Sequence, residues 1–389
     1  MKKILASLPF RLVLALGVGI ILGIASNENI IHVVLSIRHI TSQIIFFCVP
    51  LIILGSVAPS IIRLGKNASR FLAVSILVVY FFLLGAASFG LLVGYTIIPS
   101  LSIADSSEAR RVLPTMLFEL NFPPIMAVMS ALILAILIGL ATVWTKSETF
   151  SKLLEEFQHM VSSIVMKIVI PILPVFIMGT FAVMAYDGRL TGQLPVFIHV
   201  IGVLVAAQTM WLILLYSVAG IYSKRNPLEV IKHYAPVYLT AIGTMSSSVT
   251  MPVALDAAKK SKVLNREIVD FGIPFFTHFH MAGAAINAVF LSLAVSQVLY
   301  GALPSIEVMI MFIVLQSIFT MAGPGVPAGV LMASIGLISA VLGFNEAAIG
   351  LMIVLWSIQD SFGTACNITG DGALLMIFSR YTEKRVQTE

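Results

Sequence analysis

Gly243-Thr244-Met245-Ser246-Ser247-Ser248-Val249-Thr250-Met251-Pro252 interrupts an apolar stretch at about 230–258. Three adjacent serines and a proline are costly facing lipid and tolerable beside a water-filled cavity. The flanks decide how the stretch runs. Lys224 and Arg225 precede it, and Lys259, Lys260, Lys262 and Arg266 follow it. Basic loops mark the cytoplasmic side, and two consecutive cytoplasmic loops cannot flank one full crossing. The stretch is therefore predicted to enter and return on one side, as a re-entrant hairpin; the plainer alternative is a kinked helix.

The same pattern recurs at Met321-Ala322-Gly323-Pro324-Gly325-Val326-Pro327-Ala328-Gly329, inside the apolar stretch 306–345. Three glycines and two prolines stop a continuous helix. Two broken segments in corresponding places point to a transporter binding site between inverted repeats, although no alignable repeat is visible.

Working outward, the other apolar segments lie at roughly 8–26, 36–64, 70–99, 120–145, 158–186, 193–222, 264–300 and 346–379. Each has about 20 residues or more, enough for a spanning helix, and lipid leaves helices as the only option without strand alternation. Lys2 and Lys3, then Arg63, Lys66 and Arg70, then Lys146 and Lys152 alternate with loops poorer in positive charge: Glu28; Asp105, Glu108, Arg110 and Arg111; Asp187 and Arg189. This places the N-terminus in the cytoplasm, and Arg380, Lys384 and Arg385 return the C-terminus there. A signal peptide at residues 1–26 is the lesser reading, since no small-residue cleavage site follows.

Composition agrees. Among 389 residues, 59% are hydrophobic and 11% charged, against about 25% charged in a soluble domain. A soluble enzyme and a disordered chain are both excluded. The net charge of +5 lies in short loops between apolar runs, so it signals orientation and not nucleic acid. Cys48 and Cys366 sit inside apolar segments and form neither a disulfide framework nor a metal motif.

The last segment holds Asp360, Thr364, Asn367 and Asp371, spaced 4, 3 and 4. On a helix they share a face within roughly 60°. An intramembrane carboxylate costs at least about 2.5–3.5 kcal/mol, and no Lys or Arg follows on that helix before Arg380. A cation or an ammonium-bearing ligand is the expected remedy; two interfacial aspartates at a helix end are the alternative. In Thr277-His278-Phe279-His280-Met281-Ala282-Gly283-Ala284-Ala285-Ile286-Asn287, the small residues permit close approach or local unwinding. Its histidines read as structural, as proton-coupling, or least readily as metal ligands.

These motifs resemble the dicarboxylate/amino acid:cation symporter family, the glutamate transporter homologues. The shared residues are Ser246-Ser247-Ser248, Thr250 and Pro252; Gly325-Val326-Pro327; and Asp360, Thr364, Asn367 and Thr369-Gly370-Asp371. The resemblance implies an all-α polytopic membrane protein with eight transmembrane helices, two re-entrant hairpins and an elevator-type fold. It implies a homotrimer in the plasma (inner) membrane, among lipid, with no nucleic-acid partner and no organic cofactor. It divides the chain into scaffold helices at 1–69 and 113–190, and a transport part at 70–112 and 191–389.

It also implies roles. Asp360 resembles the carboxylate that binds a substrate's α-ammonium, and Asn367 the amide that binds its α-carboxylate. Ser247, Ser248 and Val326 help from the hairpin tips; Thr364 and Gly363 complete the pocket. Sodium ligands are implied at Phe276, His278, His280, Met281, Thr320, Met321, Gly323, Asn367 and Asp371. Two departures matter. Acidic-substrate members place an Arg where this chain has Gly363, and a Thr where it has Ala284. Without that fork a second carboxylate enters unpaired, so a small neutral amino acid is expected, as in the sodium/serine-threonine symporter branch. Gly363→Arg would supply the missing cation, though not the missing Thr. The second departure removes an ion site: Phe82, Gly85, Ala86 and Ala282 stand where members carry ligands, and His280 replaces an Asn. Fewer coupled sodium ions follow, with His280 open to proton coupling. The rivals are a dicarboxylate or acidic amino acid carrier, an intramembrane hydrolase using Ser246–Ser248 with His278 or His280, and a passive channel.

Overall fold

A computed structural model describes residues 8–66, 70–100, 111–120 except 112 and 119, 123–188, 194–323, 325 and 328–386. Lys2, Lys3, Asp105, Glu108, Arg110, Arg189, Pro324, Val326 and Pro327, named above, lie outside these. Among the described residues every regular element is helical, as the apolar segments required.

The first helices are α1 (Leu8–Ala25), α2 (Glu28–Lys66), α3 (Arg70–Ile97) and α4 (Val128–Thr145). The segment expected at 120–145 starts its helix at 128. Pro123 and Pro124 explain the delay, because proline strips a backbone donor and pushes the preceding residue out of helical geometry. Helix α5 (Glu148–Ile164) and α6 (Ile170–Tyr186) join through a π-turn at Val165–Val169. The rod thus begins ten residues before the expected 158. Its first part was masked in the hydropathy by Lys152, Glu155, Glu156 and His159, which face outward while Ser151, Leu154 and Val161 are buried. Ser147 caps it, its Oγ accepting from Phe150 N at 3.3 Å.

Helix α7 (Leu194–Ser223) precedes the first broken stretch, which forms α8 (Leu228–Thr244) and α9 (Ser247–Lys260), packed on one another. The turn is Met245, at φ 50°, followed by Ser246, whose Oγ accepts from Val249 N. Next come α10 (Arg266–Phe279) and α11 (Ala282–Tyr300), broken at His280 and Met281, whose backbones leave helical geometry. The second broken stretch forms α12 (Ile306–Ala322) and α13 (Gly329–Leu342), again packed together. Gln316 Nε2 on α12 donates to Ser334 Oγ on α13 at 2.8 Å. The chain ends in α14 (Glu346–Val386), 41 residues without interruption.

Six helical stretches among the described residues are long and apolar enough to cross a membrane: Glu28–Pro59, Ala73–Ser100, Glu148–Tyr186, Val196–Ser223, Arg266–Tyr300 and Glu346–Glu383. Helices α1 and α4 are apolar and shorter. The chain is a multi-pass membrane protein.

Packing follows from which faces are apolar. Helix α1 lies along α6, and α2 lies against α4 and α6. Helix α11 is enclosed between α3 and α14, and α14 also packs on α7 and α8. From Ala282 to Ser296 every residue of α11 is buried. That suits a helix apolar all round, which belongs in a core. Where α14 begins, Glu346 meets α2: Ser42 Oγ donates to its Oε1 at 2.6 Å, Arg38 Nη2 lies 3.3 Å from its Oε2, and His39 Nδ1 lies 3.7 Å from Oε1.

Candidate substrate and ion site

Asp360, Thr364 and Asn367 of α14 open onto one cavity, as their spacing required. Ser247 at the start of α9, Met281 at the break, and Gly325 and Val330 of the second hairpin complete its wall. Met245, Ala284, Gly329 and Trp356 also line it. Among these residues Asp360 is the one charged side chain.

The two hairpin tips meet over this cavity. Ser246 Oγ donates to Gly325 O at 2.8 Å, and Ser248 N approaches the same oxygen at 3.5 Å. The space suits a bare glycine: a Cβ on Gly325 would stand 2.8 Å from Ser248 Oγ. The second tip is also tied to α14. Ala328 N donates to Asp360 Oδ2 at 2.9 Å, while Trp356 Nε1 donates to Oδ1 at 3.1 Å. Ala328 sits at φ 56°, a left-handed conformation that a non-glycine residue adopts at a cost of about 1–2 kcal/mol.

Asn367 closes the broken seventh segment. Its Oδ1 accepts from Ala284 N at 3.2 Å, in the first turn of α11. A helix start leaves backbone N–H groups without partners, and here α14 supplies the acceptor. The two helices touch closely at this level: a Cβ on Gly283 would stand 2.3 Å from Gly363 O.

One turn further along α14, Asp371 is fully buried. Its Oδ1 lies 3.1 Å from His280 Nδ1 and its Oδ2 accepts from Thr277 Oγ1 at 3.3 Å. The expected ion residues therefore divide. His280, Asn367 and Asp371 gather around the helix break, with Met281 on the cavity side. Phe276 is buried against Phe378, and its carbonyl accepts from His280 N at 2.7 Å. His278 points outward, exposed, with Nδ1 2.9 Å from Pro274 O. At the end of α12, Thr320 Oγ1 accepts from Gln316 Nε2, Gly323 N donates to Thr320 O, and Met321 is half-buried.

Gly363 is absent from the cavity wall. A Cβ there would lie 2.6 Å from Asn287 Nδ2. Asn287 belongs to a buried carboxamide cluster in which Gln208 Nε2 donates to Asn287 Oδ1 and to Gln359 Oε1. Sequence reasoning passed over Gln208, the sole carboxamide in the apolar run Leu194–Ser223, and that isolation was the available signal.

As for the hydrolase rival, Ser246 Oγ is bound to a carbonyl of the other hairpin and His280 faces an aspartate. Both contacts hold helices together, and neither joins a nucleophile to its base.

An apolar helical bundle with a chamber, part polar and part apolar, beneath two hairpin tips fits the class of membrane transporters. The chain belongs to the sodium:dicarboxylate symporter family, whose profile matches residues 8–381. The serine/threonine transporter SstT of Acinetobacter baumannii strain ATCC 17978 is 29% identical over 271 residues, covering 67% of this chain and 66% of that protein. The same transporter from strain AYE is also 29% identical over 271 residues. The match spans 66% of the length of these curated relatives.

Proposed function

We propose that this protein carries out sodium-coupled symport of a small neutral amino acid by an elevator mechanism. The observation that carries the reading is that Asp360 and Asn367 face one cavity from a single helix while Asp360 also holds the tip of the second hairpin. An α-ammonium arriving at Asp360 competes with the Ala328 N–H for the carboxylate, so occupancy of the chamber and the position of the tip become one event. Asn367 offers its amide N–H to the α-carboxylate. Thr364, Ser247, Ser248 and Val326 complete the contacts around the substrate.

The described wall holds no Lys or Arg, which favours a neutral side chain over an acidic one. The names of the relatives, serine/threonine transporters, agree with that choice. Sodium travels as co-substrate. The oxygen-rich surroundings of Asn367 and Asp371 suit a hard cation, and the carbonyls at Phe276 and at the end of α12 (Thr320, Met321, Gly323) provide further oxygens. The side chains of Phe82, Gly85, Ala86 and Ala282 carry no oxygen, so fewer ions are coupled than in acidic amino acid carriers.

The eight spans are α1, α2, α3, α4, the α5–α6 rod, α7, the α10–α11 segment and α14, with α8–α9 and α12–α13 as re-entrant hairpins. Helices α1, α2 and α4–α6 form the scaffold and the trimer contacts. Helices α3 and α7–α14 move with the substrate. Both termini face the cytoplasm and the protein resides in the inner membrane.

The test is a thermal-shift screen of the purified protein against serine, threonine, alanine, aspartate and succinate, with sodium and with choline. Sodium-dependent stabilisation by the neutral amino acids is expected; stabilisation by neither class, or by aspartate and succinate alone, overturns the reading.

A further inference from the structure

The carboxamide cluster lies between α7, α11 and α14, immediately behind the cavity wall. Gln208, Asn287 and Gln359 are 2%, 0% and 0% exposed. Gln208 Oε1, Asn287 Nδ2 and Gln359 Nε2 have no hydrogen-bond partner. Turning any of the three amides does not cure this. Three carboxamides hold three acceptor oxygens and six N–H bonds, and the cluster makes two bonds among them. Buried polar groups in native proteins are overwhelmingly paired, so an unpaired set of both kinds points to a polar ligand.

The cluster's address matters. Gln359 adjoins Asp360, and Asn287 is one turn along α11 from Ala284, both cavity residues. Asn287 Nδ2 occupies the room a side chain on Gly363 would need. Gly363 is thus bare to admit this amide behind the chamber wall.

We propose that Gln208, Asn287 and Gln359 are specificity-determining residues that read a hydroxyl on the side chain of the transported amino acid. A hydroxyl both accepts and donates: its oxygen takes an N–H from Asn287 Nδ2 and one from Gln359 Nε2, and its proton goes to Gln208 Oε1. An apolar side chain leaves the cluster unpaired, and sites built to bond a hydroxyl discriminate strongly against analogues that lack one. This deepens the function proposed above and rests on it.

The experiment measures uptake of serine and alanine in proteoliposomes by the full chain and by its Asn287→Leu and Gln359→Leu variants. The unaltered protein is expected to prefer serine over alanine by about tenfold, the equivalent of one hydrogen bond. Each variant brings that ratio close to one. A serine-to-alanine ratio unchanged in either variant overturns the proposal, because a purely structural amide affects both substrates alike. Should Asn287→Leu fail to fold, Gln359→Leu and Asn287→Ala carry the same readout. Failure of the underlying function is distinguishable: the unaltered protein then accumulates neither amino acid.

Discussion

Ala328 N–H donates to Asp360 Oδ2 across 2.9 Å, joining the tip of the second hairpin to the one charged residue among those described in the chamber wall. The contact links two segments that the sequence separates by 32 residues.

Asp360→Asn removes the counter-charge for an α-ammonium. Hydrogen bonds to charged groups contribute about 1.5–3 kcal/mol, so substrate affinity should fall by at least about tenfold, read by calorimetry or competition uptake. Retained affinity for serine would sink the assigned substrate pose.

Ser246→Ala deletes both the bond to Gly325 O and the cap of α9. Each loss costs about 1 kcal/mol. The melting temperature should drop, and a cysteine pair bridging the tips should cross-link more slowly. Unchanged cross-linking would show that Gly325 does not depend on this serine.

Gly363→Ala places a methyl 2.6 Å from Asn287 Nδ2. Overpacking of this kind costs about 1–3 kcal/mol. The double variant Gly363→Ala/Asn287→Ala should recover much of that loss, since contacting residues couple. Additive losses would contradict the contact. The same geometry revises the expectation for Gly363→Arg: the arginine first has to displace the carboxamide cluster, so instability precedes any gain of acidic substrates.

Asp371→Asn should reduce the stabilisation that sodium confers. At a sodium concentration about 100 times the dissociation constant, linkage amounts to about 2.7 kcal/mol, a shift that is readily measured. An identical sodium response in the variant removes Asp371 from the ion site. Reversal potentials address the count: three sodium ions per substrate would contradict the missing ligands around Phe82, Gly85 and Ala86.

The sequence exposed what local chemistry encodes. Serine, glycine and proline clusters marked both hairpin turns, and the spacing of Asp360, Thr364 and Asn367 placed them on one wall. It left out what arises only when distant helices meet. His280 and Asp371 are 91 residues apart, and the Gln208–Gln359 contact spans 151. Gly363 was read as a wall residue because the lost side chain, and not the amide behind it, was visible in the sequence. The charged start of α5 was missed because hydropathy averages over both faces of an amphipathic helix.

Glu346 and Asp360 share the unbroken rod of α14, about 21 Å apart along its axis. The far end is moored to the second helix through Ser42, Arg38 and His39. In the elevator movement proposed above, travel of that rod by more than a few ångströms breaks these contacts of Glu346 together. Under that proposal, departure from this berth begins with an electrostatic unmooring remote from the chamber, and the pace of turnover is open to control by residues that never meet the cargo.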